Sequence, residues 1–206
     1  MASLISNLRT GQRRKLLADL NYLNMGEIKS FCKKHSIPYA IAIESRGGQR
    51  RSTSEPDRKG VLLERVRHFL QTGVILEQTR FRADVVCLDS LPNKPVANDR
   101  FFYGQYDKTN RAMITLLKEL TNGEFEDGAM ARILAREFWA SGRAPTFKEF
   151  AIAWRKARQE HRRPNPEWAF LSDRADQTAG TNWKQLRRDK AQKVMKTLNQ
   201  ISDRKR

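Results

Sequence analysis

The most constraining feature of this chain is the stretch from Leu23 to Thr72, where two apolar stripes at helical spacing are separated by a long polar, basic segment. Met25, Ile28, Phe31 and Cys32 recur at the period of one helix face, and Asn24 with Glu27 three positions on makes a capping box at its start. Pro38 ends that helix, because the residue before a proline is pushed out of the α region. Leu62, Leu63, Val66, Phe69 and Leu70 form the second stripe. It starts near Pro56-Asp57, with Asp57 as the cap or first-turn acid, and Gly73 is placed to end it in the left-handed conformation. Helices this short do not persist alone in water, so each must bury its stripe.

Charge narrows the partners. The 206 residues carry 40 Lys and Arg against 23 Asp and Glu, a formal net charge of +17. Residues 1–72 hold +8, residues 73–140 hold −1 and residues 141–206 hold +10. Such a field favours polyanions: DNA, RNA or an anionic membrane surface. Two basic ends flank a neutral middle, the pattern of a spacer between two polyanion-facing surfaces. Two cysteines, Cys32 and Cys87, provide no disulfide framework and point to a reducing compartment. Cys32 lies in an apolar stripe and reads as a buried thiol. No apolar run approaches the ~20 residues of a membrane span, and the N-terminus lacks the basic leader and apolar core of a secretory signal.

The Leu23–Thr72 stretch resembles the SAP module, a helix–extended loop–helix unit that binds DNA. Leu23, Glu27, Ile28, Lys29, Cys32, Lys33 and Ile37 fall on the first half of its pattern. Arg58, Lys59, Leu62, Leu63, Glu64, Arg65 and Val66 fall on the second. The chain departs from the pattern in two places: Ser36 stands where the family usually has glycine, and the 39–56 segment is longer than the family's connection. Phe150-Ala151-Ile152-Ala153-Trp154-Arg155-Lys156-Ala157 is similar to a run in the helical second part of bacterial SAP-like proteins. The resemblance implies a mainly α fold: a SAP-like helix–extended loop–helix unit plus a small helical second domain with short extended segments. The expected domains are residues 1–73, a DNA-binding domain with an inserted basic loop at 44–56; residues 74–163, a helical domain; and residues 164–206, a loop and a basic C-terminal helix.

Before the module, Leu4, Ile5, Leu8, Leu16, Leu17 and Leu20 predict one or two short helices, with Arg13, Arg14 and Lys15 on a solvated face. Tyr39 to Ile43 alternates weakly and can form an extended run. The Gly-, Ser- and Arg-rich segment after it holds too little apolar surface to order itself, and reads either as an arm reaching phosphate or as a disordered loop. Residues 74–106 suit short extended pieces and turns. Their aromatic group, Phe101, Phe102, Tyr103 and Tyr106, is expected in a core, with stacking on single-stranded bases the other use. Helices are predicted over 108–121, 128–140 and from Thr146, where Glu149 completes a second capping box. Phe147, Phe150 and Trp154 share one face, at core spacing. Residues 167–181 read as a loop pinned by Trp168, Phe170 and Leu171, and residues 182–202 as a basic amphipathic helix ending in a mobile Arg204-Lys205-Arg206.

No nucleotide-binding glycine loop or zinc-protease motif occurs, His35, His68 and His161 lack ligand spacing, and Glu124-Phe125-Glu126-Asp127 reads as a solvated turn. The expectation is a non-catalytic protein without cofactor or metal. It binds nucleic acid, duplex DNA favoured and RNA possible, with low sequence specificity. A protein-interaction adaptor using the middle helices, or a ribosome-associated basic protein, is the alternative. The candidate DNA contacts are Lys29, Lys33, Lys34, Arg46, Arg50, Arg51, Arg58, Lys59 and Arg65, with Arg187, Arg188 and Lys190 as a secondary basic patch. Localisation follows the source: cytoplasmic and nucleoid-associated if bacterial, nuclear if eukaryotic.

Overall fold

The computed structural model describes residues 3–45, 47–89, 91–92, 94–160 and 183–203. The chain forms two compact units, each assembled from separated stretches of sequence. The first unit runs on past the boundary expected at 73, to Gln78, while the second unit ends at Arg163, where a boundary is expected. Residues 40–56 belong with the second unit, and the C-terminal helix belongs with the first.

The first unit is helical. It contains α1 (Thr10–Asp19), a 3-10 turn (Leu20–Tyr22), α2 (Met25–Lys34), α3 (Lys59–Thr72) and the last helix, α7 (Trp183–Asp203). The expected capping box of α2 is made in both directions: the Glu27 amide donates to Asn24 Oδ1 (2.9 Å) and the Asn24 amide to Glu27 Oε2 (2.7 Å). Gly73 closes α3 at φ 73° with its N–H on the Phe69 carbonyl. Ser36, after α2, also takes a left-handed backbone (φ 56°), a conformation glycine adopts without steric cost. Ile28, Phe31 and Cys32 of α2, Leu62, Leu63 and Val66 of α3, and Ala191, Val194 and Leu198 of α7 share one core. Burial pushes the Cys32 thiol up to about 11, the nearby Arg65 charge opposing, so it is an inert apolar packing group at neutral pH.

The second unit is mixed. Strands β1 (Ala40–Glu44), β2 (Arg50–Pro56) and β3 (Arg80–Phe81) form a sheet in the order β2-β1-β3, with β1 antiparallel to β2 and parallel to β3. Helices α4 (Arg111–Leu120), α5 (Ala129–Ala140) and α6 (Phe147–Glu160) complete it. The core is aromatic: Phe81, Phe101, Phe125, Trp139, Phe147, Phe150 and Trp154 are all buried. Phe101 sits at its centre, 4.9 Å from the Phe150 ring and 5.6 Å from Trp139. Thr146 and Glu149 make the expected box before α6.

The sheet corrects the mainly α expectation, and with it the readings of 44–56 as an inserted loop and of 46–56 as a segment unable to order itself. Strand β2 has almost no apolar surface, but β1 supplies its ladder while Ile41, Ala42 and Ile43 go into the core. The turn is closed by hydrogen bonds between Ser45 and Gln49 (2.9 Å) and from Gly48 to Ser45 (2.9 Å), with Gly48 at φ 75°. Thr53 Oγ1 donates to the Ile41 carbonyl (2.9 Å), and Glu55 is held by Arg136 and Tyr103. A polar strand is ordered here by its hairpin neighbour and by side chains 48 to 81 residues away, not by its own burial. The predicted loop at 167–181 and the Arg204-Lys205-Arg206 tail lie outside the described residues, and no helix among the described residues is long and apolar enough to cross a membrane.

Candidate nucleic-acid interface

The cations expected to act together fall into three groups. Lys29, Lys33 and Lys34 lie on α2, off its apolar stripe, with Lys33 and Lys34 exposed. The Lys33 ammonium stands 5.9 Å from the Tyr39 ring centre. Arg58 is the N-cap of α3 and Lys59 its first residue, both half-buried. The Lys59 ammonium donates to the Asn21 carbonyl at 2.6 Å, so part of its donor capacity serves the fold. These five residues belong to the helical unit.

Arg65 is different. Its side chain is 4% exposed and pairs at 3.1 Å with Asp57, itself 4% exposed, while also donating to the Pro38 carbonyl at 3.1 Å. Asp57 accepts the Arg58 amide (2.9 Å). Instead of starting the helix from its first turn, Asp57 sits one residue ahead of the N-cap and turns its charge inward. Arg65 is therefore a buried brace between the two halves of the module and not one of the DNA contacts. The α3 stripe and Arg65 fall on adjacent positions, and a cation beside a stripe reads from sequence as rim, not core.

Arg50 and Arg51 are exposed on β2 and so belong to the mixed unit. Arg50 lies opposite Glu44 across the ladder and bridges to it at 3.5 Å, and Arg80 reaches the same carboxylate at 3.8 Å. Arg46 lies outside the described residues.

The secondary patch joins the helical unit through α7. Arg187 donates to the Tyr22 carbonyl (2.9 Å) and pairs with Glu27. The Lys190 ammonium lies over the Tyr22 ring, 4.0 Å from its centre, and donates to its hydroxyl. Arg188 is exposed on the same helix. Two of the three thus fasten α7 to the segment before α2, through bonds spanning some 160 residues that no local pattern announces.

The consequence for charge is larger than any single contact. Over the described residues the helical unit carries 17 Lys and Arg against 7 Asp and Glu, and the mixed unit 16 against 13. Among the described residues, 183–203 of the C-terminal basic end join the basic N-terminal helices in one body, while 141–160 of that end and strand β2 lie in the mixed unit.

Sequence reasoning missed polar contacts in the mixed unit, because their partners are 21 to 81 residues apart. Tyr103 donates to Glu55 (2.8 Å), Arg136 pairs with Glu55, and Tyr106 donates to Asp127. Burial, with the adjoining Glu55, pushes the Tyr103 hydroxyl up to about 12, and burial beside Asp127 raises Tyr106 further. Asp127 is thus half-buried and engaged, in an acidic run read as a solvated turn. Among the described residues no group of three or more His, Cys, Asp and Glu side chains is placed to hold a metal ion. Comparisons with protein-family models, curated proteins and solved structures found no match to this chain.

Proposed function

We propose that the helical unit is a SAP-like, non-catalytic module that binds duplex DNA through phosphate contacts with low sequence specificity. The observation that carries this reading is the joining of the basic last helix to the N-terminal helices in one small body with a net charge of +10 over its described residues. A field of one sign on one body attracts a polyanion and lowers the cost of holding it. Lys29, Lys33 and Lys34 on α2, Arg58 and Lys59 at the start of α3, and Arg188 on α7 are the contacts proposed. Ammonium and guanidinium groups on helix surfaces meet phosphate oxygens, which carry no sequence information of their own. The left-handed backbone at Ser36 supports the resemblance, since it is the geometry that glycine supplies at that place in the family.

The test is a mobility shift with the full chain across a salt series. Engagement of about 4–6 phosphates gives a slope of log affinity against log salt of about −4 to −5 for duplex DNA. Lys33→Glu with Lys34→Glu lowers affinity about tenfold or more and flattens the slope by about one for each phosphate no longer neutralised. Arg188→Glu acts in the same direction. An unchanged affinity and slope in both variants would remove the proposal, and structured RNA out-competing duplex DNA would move it to the other polyanion. The chain must be kept whole: ending it near Thr72 strips Ala191, Val194 and Leu198 from the core of the unit under test.

A further inference from the structure

The mixed unit contains a cleft of about 200 Å³ whose walls combine aromatic rings and charge. Tyr103, Tyr106 and Trp139 supply the rings, and Glu55, Arg136 and Arg132 the polar groups. At that volume the cleft accommodates one ring system, well below the ~300–1,000 Å³ of sites for larger molecules. Its walls are fixed before any ligand arrives. The hydroxyls of Tyr103 and Tyr106 are each committed to a carboxylate, and the Trp139 indole N–H donates to the Phe101 carbonyl (3.0 Å). Tyr103 and Trp139 meet nearly edge to face, at 5.6 Å and 75°. Gly104 borders the cleft at φ 97°, and a β-carbon there would stand 2.4 Å from the Cys87 carbonyl oxygen, so no side chain can project from this position without moving the backbone.

The polar wall selects among ring ligands. The Glu55 carboxylate and the Arg136 guanidinium stand side by side, 36% and 24% exposed. Each Glu55 oxygen keeps acceptor capacity beyond the bond it makes to Tyr103 or Arg136. An acceptor beside a donor at the edge of an aromatic slot matches a planar heterocycle with an exocyclic amino group next to a ring acceptor. Arg132 is exposed beside this slot, placed to meet an anion attached to the ring. We propose that this cleft binds one nucleotide, its amino-bearing base against Tyr103, Tyr106 and Trp139, its amino edge on Glu55 and its phosphate on Arg132. This site does not rest on duplex binding by the helical unit, and either can fail without the other. A free mononucleotide and an unpaired nucleotide of a strand offer the same chemistry.

The experiment is a titration of the full chain followed by nuclear magnetic resonance at the Trp139 indole and the Tyr103 and Tyr106 rings. The probes are adenosine, cytidine and uridine 5′-monophosphates, inorganic phosphate and a four-nucleotide single strand. The adenosine and cytidine compounds shift these resonances saturably, the uridine compound binds more weakly, and inorganic phosphate leaves them in place. Arg132→Glu weakens binding about tenfold or more, through loss of a charge-assisted bond. Arg132→Gln weakens it less and preserves folding should the reversal disturb α5. Arg188→Glu, in the helical unit, leaves it unchanged. Binding of the oligonucleotide alone, sensitive to Arg132, identifies a strand as the source and keeps the site. Absence of shifts with every probe, equal response to inorganic phosphate, or indifference to both Arg132 variants overturns the proposal.

Discussion

The helical and mixed units spend their charge and their aromatic residues in opposite ways. The helical unit has a largely aliphatic core, in which Phe31 is the one buried phenylalanine among the described residues, and it carries most of the net positive charge of those residues. The mixed unit packs seven large rings into its core and nearly balances its ions. Several of its arginines face carboxylates: Arg136 with Glu55, Arg158 with Glu124, Arg50 and Arg80 with Glu44. The same residue type therefore does different work. On a balanced body an arginine positions a neighbour, and on a body of one sign it adds to a long-range field. The exceptions within the helical unit are Arg187 with Glu27 and the buried pair of Arg65 and Asp57, and the buried pair is the sharpest place to test the contrast.

Arg65→Ala is the largest expected effect. It leaves the Asp57 carboxylate inside the unit without that guanidinium, at a cost of about 3–5 kcal/mol. Hydrogen exchange resolved by segment should show the loss in α2, α3 and α7 and spare α4 to α6. Equal loss in both units would mean that they unfold as one body and would break the comparison. Leu198→Ala comes next. The side chain is fully buried in α7, and its truncation removes about 2–4 kcal/mol from the helical unit. If exchange protection in α1 to α3 is unmoved, α7 does not belong to that core.

Ser36→Gly sharpens the comparison in the other direction. Glycine relieves the left-handed strain, for a gain of about 0.5–1 kcal/mol in urea unfolding, less the entropy glycine returns to the unfolded chain. A loss would show that the Ser36 backbone is not strained.

The smallest effect is read by pH. His35 lies between the Phe31 and Phe69 rings, 4.4 and 5.2 Å away, with Nε2 2.8 Å from Ser202 Oγ at the end of α7. Burial, and then the Lys34 charge, hold its pKa below the ordinary 6.5. The unfolded chain therefore takes up the proton first on acidification. The stability this histidine contributes is complete above about 6.5, declines as pH falls from there towards the folded value, and is flat below it. His35→Gln should remove that part of the pH dependence. The midpoint for the helical unit should move while that for the mixed unit stays, since the described histidines, His35 and His68, both lie in the helical unit.

Local chemistry was legible where a residue's partner is a few positions away. The Asn24–Glu27 and Thr146–Glu149 boxes, the Gly73 stop and the apolar stripes of α2 to α7 are contacts within one or two turns. Their spacing encodes them directly. The candidate site was legible only as a set of cations. Of those within the described residues, Lys33, Lys34 and Arg188 are as exposed as expected, Lys59 and Arg187 are partly spent on internal bonds, and Arg65 is enclosed.

The amino-acid order alone determined the helices, the Asn24, Thr146 and Gly73 caps, the overall positive charge and the burial of Cys32. Each follows from backbone geometry or from the count of apolar and charged groups along a short window. Tertiary structure decided that a polar stretch after Glu44 becomes a strand, that the basic last helix joins the N-terminal helices, and which arginines are enclosed or spent on internal bonds. Those outcomes depend on partners outside any single helix turn or strand, from the hairpin neighbour β1 to side chains some 160 residues off. The energy of a strand ladder or of a buried ion pair resides in the pair, and neither member carries a mark of it alone.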